Sequence, residues 1–146
     1  MGTDIHLHIE IKVNGKWEHY NKPKIDRNYE LFAKLAGVRI VKGIEPISLP
    51  KGLPEDLSAI TKMHADWQSE FQHSHSWLDV NEIREVEEWW KKYYLKHWHT
   101  HSTEGVSYIE SQWGYLFGDA ISGFGAFPES YPAEIEDVRM VFWFDS

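Results

Sequence analysis

Every second residue from Thr3 to Ile11 is apolar or β-branched: Thr3, Ile5, Leu7, Ile9 and Ile11. Side chains alternate across a strand with a period of two, so this spacing predicts an extended segment over residues 3–13 with one face committed to a core. The opposite face would carry Asp4, His6, His8 and Glu10. A solvated strand face is ordinarily built from Lys, Thr or Ser. Two imidazoles between two carboxylates are instead groups that bind a metal, shuttle protons or grip a polar ligand.

The rest of the chain reads as partners for that strand. Asn14-Gly15 is the pair that favours a type I′ hairpin, so a second strand is expected over Lys16 to Tyr20. Leu31, Phe32, Leu35 and Ala36 recur at helical spacing, giving a helix from Asp26, as N-cap, to Gly37. Residues 38–56 hold Gly43, Pro46, Pro50, Gly52 and Pro54 and read as a long irregular segment of the kind that often carries function. Leu57, Ile60, Met63, Trp67 and Phe71 form one stripe of a second helix, and the longest helix is expected over roughly 79–97, with Asp79 and Glu82 at capping-box spacing. Gly114 to Pro132 reads as a loop or broken helix. The run Met140 to Phe144 is apolar on both faces, which suits a central strand lying beside the first. The expected fold is α+β: a small, mostly antiparallel sheet, made of the N-terminal hairpin and a C-terminal strand, packed against two or three helices.

At 146 residues this is one domain, 1–146, by the usual range of about 100–200 residues. Eight Trp, seven Tyr and seven Phe exceed what one small core needs, because each indole must also place its N–H. Some rings are therefore expected in a groove or an interface, where flat ligands stack. A net charge of −8 disfavours duplex nucleic acid, which asks for a basic surface, but leaves room for a small anion held by a few arginines. There is no cysteine, so thiolate catalysis and Cys-type zinc sites are ruled out. No signal-like or membrane-length apolar run is present, and a cytoplasmic protein away from membranes is expected.

Next-but-one strand positions lie about 7 Å apart, so two of the four polar groups on the first strand can share one metal ion and four cannot. Asp4 and His6 are the natural pair, with His73 as third ligand and His75 behind it; oxygen and nitrogen ligands without thiols suit Zn or Mn. The competing reading is that His73 and Ser74 only orient the start of the long helix. His97, His99 and His101 follow a helix C-terminus, where imidazolium is favoured, and read as a polar helix end. Arg27, Arg39 and Arg139 are the candidates for holding phosphate or carboxylate, with pairing to Asp4, Asp137 or Asp145 as the structural alternative.

The stretches Gly2 to His6, Arg27 to Arg39, Gly52 to Asp56, His73 to Leu78 and Asp137 to Asp145 resemble an uncharacterised family of small phage and bacterial proteins that begin Gly-Thr-Asp-Ile-His. The resemblance implies weight on Asp4, His6, Arg27, Arg39, His73, Arg139 and Asp145, and a cytoplasmic location in a bacterial host. Asp, His and Arg beside a tryptophan suit a small phosphorylated or nucleotide-derived ligand. The leading expectation is a binding module, by analogy a phage counter-defence protein that sequesters a host nucleotide signal. Its pocket would lie between the sheet and the long helix, with Trp77 or Trp113 stacked on a base. The alternative is a divalent-metal-dependent hydrolase or phosphodiesterase using Asp4, His6 and His73, with His8 or Glu10 as general base. A homodimer is the expected assembly.

Overall fold

The computed structural model describes residues 2–23, 25, 27–67, 70–97 and 135–146. Asp26, Trp98, His99, His101, Trp113 and the segment 114–132 lie outside the described residues. Strands β1 (Asp4–Val13) and β2 (Lys16–Asn21) form the expected hairpin, and both turn residues, Asn14 and Gly15, adopt the positive φ that a type I′ turn requires. Helix α1 (Tyr29–Ala36) is capped by the Asn28 side chain, which accepts from the Leu31 N–H, and it ends at Gly37 with φ 71°. Helix α2 (Ala59–Asp66) starts on Ser58. Strand β3 (Gln72–Asp79), helix α3 (Val80–His97) and strand β4 (Asp137–Asp145) complete the order.

The sheet is antiparallel throughout, in the order β2-β1-β4-β3, so the doubly apolar run of β4 occupies the centre as expected. On its first face, Ile5, Leu7, Ile9 and Ile11 of β1 join Val138, Met140, Phe142 and Phe144 of β4 beneath α1 and α3. Burying one such side chain stabilises the fold by about 1.5–3 kcal/mol, so this layer is the main source of stability.

Three sequence expectations change. Gln72 to Asp79 is a strand, not an approach to the long helix; the Asp79–Glu82 capping box does start α3, with the Glu82 N–H donating to Asp79 Oδ1 at 2.8 Å. The stripe Ile60, Met63, Trp67 and Phe71 faces outward, and α2 instead buries Thr61 and Ala65. Its rotation is fixed where the Ser58 N–H donates to the buried Glu10 Oε2 and the Ser58 and Thr61 hydroxyls bond each other. Finally, the long helix α3 lies on the apolar face, so it is the shorter α2 that covers the polar face of β1.

Candidate functional site

The even-numbered residues of β1 meet the odd-numbered residues of β4 across one face: Asp4 opposite Asp145, His6 opposite Trp143, His8 opposite Val141 and Glu10 opposite Arg139. Directly opposed residues interact as pairs. The four polar groups therefore have different partners along the sheet rather than one shared centre.

Glu10 closes one end. Its Oε1 accepts from Arg139 Nε at 2.8 Å, and Arg139 Nη1 reaches Asp56 Oδ1 at 2.8 Å. The guanidinium lies 4.0 Å from the centre of the Trp17 ring. Arg139 is only 4% exposed, and its Nε, Nη1 and Nη2 all donate to protein oxygens. It holds the 50s segment and the start of α2 against the sheet. The structural alternative applies to it, with Glu10 and Asp56 as partners in place of the expected aspartates.

The middle of the face is a histidine cluster. His8 is fully buried; its Nδ1 bonds His19 Nε2 of β2 at 3.0 Å, and its ring lies 5.0 Å from that of His64 on α2. Burial, and then the neighbouring imidazoles of His19 and His64, push the His8 pKa down to about 3, so this ring is neutral. Trp143 is the hub. His6, His8 and His75 stack on its indole with ring centres 5.9, 5.1 and 5.7 Å away. Burial also lowers the His75 pKa.

The other end of the sheet gathers most of the expected binding residues. Arg27 forks onto Asp4, with Nε donating to Oδ1 at 2.7 Å. The pair is about half exposed, at 52% and 58%. The Asp4 carboxylate is held below its usual pKa by that hydrogen bond. Gly2 makes room for the pair, because a Cβ there would sit 1.9 Å from Arg27 Nη1. His6 Nε2 stands 3.6 Å from Asp145 Oδ2. Alongside runs a second chain of contacts: Arg39 Nε donates to Thr3 Oγ1 at 2.8 Å, Thr3 Oγ1 bonds Ser146 Oγ at 2.9 Å, and Ser146 Oγ bonds His73 Nε2 at 2.8 Å. Arg39 also lies over the Tyr29 ring.

A bulge decides which histidines meet. The β3–β4 register slips between His73 and Ser76, and Ser74 takes φ 56°. The extra residue puts His73 on the face of Phe144, which it stacks on at 6.2 Å, while His75 faces Trp143 on the opposite side. His73 is thereby separated from Asp4 and His6. The expected metal set of Asp4, His6 and His73 is corrected on this ground: among the described residues no three or more His, Asp or Glu side chains are arranged to hold a metal ion.

The structure therefore brings Asp4, His6, Arg27, Arg39, His73 and Asp145 to one sheet end and leaves Arg139 at the other. Trp77 packs beside Val141 and Trp143, with Lys51 Nζ 4.1 Å from its ring centre. Sequence reasoning passed over Thr3, His19, His64, Trp143 and Ser146. Counting back from the Asn14-Gly15 turn sets Glu10 opposite His19, within diagonal reach of His8, so that neighbour had a signal. His64 had none. A scan against protein-family models finds no matching family, and searches of curated proteins and of solved structures find no similar protein.

Proposed function

We propose that this chain binds a small phosphorylated, nucleotide-derived ligand at the sheet end formed by the start of β1 and the end of β4. The observation that carries the reading is that Arg27 and Arg39, from either side of α1, come together at this sheet end on the neighbouring residues Asp4 and Thr3, with Tyr29 beside them. Arg27 already grips a carboxylate through two nitrogens, the planar fork that also fits a phosphate. A ligand phosphate would compete with Asp4 for that fork. Arg39, fixed by Thr3 and Tyr29, is oriented without being ordered afresh on binding, which lowers the entropic cost.

Such a protein would withdraw a nucleotide signal from solution by holding it. Among the described residues no helix is long and apolar enough to cross a membrane, consistent with a ligand met in water. Two-fold self-association stays part of the proposal and is read from the mass in solution by light scattering.

The test is a thermal-shift panel of inorganic phosphate, nucleoside monophosphates and cyclic dinucleotides. Ligand at about 100 times its Kd stabilises the folded state by about 2.7 kcal/mol, a rise of several degrees in Tm. That rise is expected for at least one nucleotide, and Arg39→Gln and Arg27→Gln should each reduce it. A panel that leaves Tm unmoved rejects the reading.

A further inference from the structure

Around Trp143 the ring nitrogens are left over. His6 Nε2, His8 Nε2, His75 Nε2 and Trp143 Nε1 are all buried, and among the described residues none has a hydrogen-bond partner, although His6 Nε2 lies 3.6 Å from Asp145 Oδ2. Leaving one buried polar atom unmade costs about 1–3 kcal/mol, so four on one patch require a reason. They are not scattered: the three imidazoles are within stacking distance of the Trp143 indole, which carries the fourth atom. Nε2 is the imidazole nitrogen remote from the backbone, so the three His atoms lie away from the main chain of the sheet, on the face that α2 covers. His8 and Trp143 are themselves fully buried, at 0% and 1% exposure.

We propose that these nitrogens take the uncharged, hydrogen-bonding edge of a heteroaromatic ring, a nucleobase by chemical class. This rests on the phosphate-binding reading of the adjoining sheet end, to which His6 is the link. Trp143 Nε1 only donates, so its partner must carry an acceptor, and a metal cation does not fit. A neutral imidazole donates from one nitrogen and accepts at the other, so the His Nε2 atoms match a group bearing both kinds of site. A phosphate is the poorer match. The titratable groups facing His8 are imidazoles from β1, β2 and α2 with Lys22 beyond β2, and burial keeps His8 uncharged. The guanidiniums of Arg27 and Arg39 are taken up at the sheet end, by Asp4 and Thr3. The charge pattern thus divides one ligand: phosphate at the arginines, base at the indole and imidazoles.

The experiment follows the Trp143 indole N–H in 1H–15N spectra, its peak identified by loss in Trp143→Phe. Adenosine, guanosine, cytidine and uridine are titrated separately from inorganic phosphate. At least one nucleoside should shift that peak while phosphate leaves it in place. Trp143→Phe and His75→Phe should each weaken nucleoside binding roughly tenfold, the loss of one hydrogen bond, with phosphate binding unchanged. Nucleotides that bind in an Arg39-dependent way, yet leave the peak still and bind both variants as tightly, overturn this inference and spare the sheet-end reading. A nucleoside shift without any phosphate binding supports the inference and removes the sheet-end reading. Four nucleosides that all leave the wild-type peak unmoved overturn the inference directly, whether or not either variant folds.

Discussion

His8 shows how far one side chain can be driven from its solution behaviour. Folded, it titrates at about 3; the ordinary value is 6.5. Between those limits the unfolded chain binds the extra proton, so acidification favours unfolding. The contribution of neutral His8 is complete above about pH 6.5 and is lost as pH falls toward 3. Each unit of such a shift is worth about 1.4 kcal/mol, which places the full effect on the order of a few kcal/mol. His8→Phe is expected to flatten the fall of Tm between pH 6.5 and pH 4; a variant with the wild-type slope would refute the assignment. His19, also lowered by burial, retains part of the slope. A second residue-scale expectation concerns Glu10, whose carboxylate neutralises a guanidinium that is 4% exposed. Glu10→Ala leaves that charge buried beside Asp56 alone and should cost about 3–5 kcal/mol in urea denaturation. Asp56→Ala, removing a carboxylate that is mostly in water, should cost under about 1 kcal/mol.

At the scale of elements, the sequence signals divide by mechanism. The β1–β2 hairpin was legible because Asn-Gly between alternating residues is a local code, and β4 because a run apolar on both faces has few other uses. The start of α1 was misplaced because Asp26 and Asn28 both qualify as caps, and only the observed backbone selects Asn28. β3 was hidden for two reasons. Its His, Ser and Gln residues resemble a polar helix approach, and the bulge at Ser74 breaks the alternation that would have revealed a strand. The bulge gives its own prediction. Ser74 occupies left-handed backbone, where a Cβ-branched residue is strained by about 1–2 kcal/mol and glycine is at ease. Ser74→Val should lower Tm accordingly and Ser74→Gly should leave it near wild type. An unaffected Ser74→Val would show that the bulge is not fixed.

For the molecule as a whole, the polar residues of β1 were legible as a set, but their fates were not. Whether Asp4 is wet, His8 buried and Glu10 paired depends on α2 and on the β1–β4 register, and no local pattern encodes either. The same holds for Arg27 and Arg39, which reach the sheet end only because α1 lies across it. Global stability should depend on β4 more than on any helix, since among the described residues β1 and β3 are joined within the sheet only through it. A chain cut after residue 136 is therefore expected to show no cooperative thermal transition, whereas the intact chain should melt in one step; a sharp transition in the shortened chain would count against this.

The central place of β4 also sets a timetable. During synthesis the ribosome releases the β1–β2 hairpin and the β3–α3 unit first, and each waits with an open edge for a strand not yet translated. Closure must pair β1 with a strand far along the sequence, so it comes late and slowly, in the milliseconds-to-seconds regime of non-local pairing. Through that interval the greasy undersides of both halves stand exposed, and the nascent protein has most need of a chaperone just before Asp137 appears.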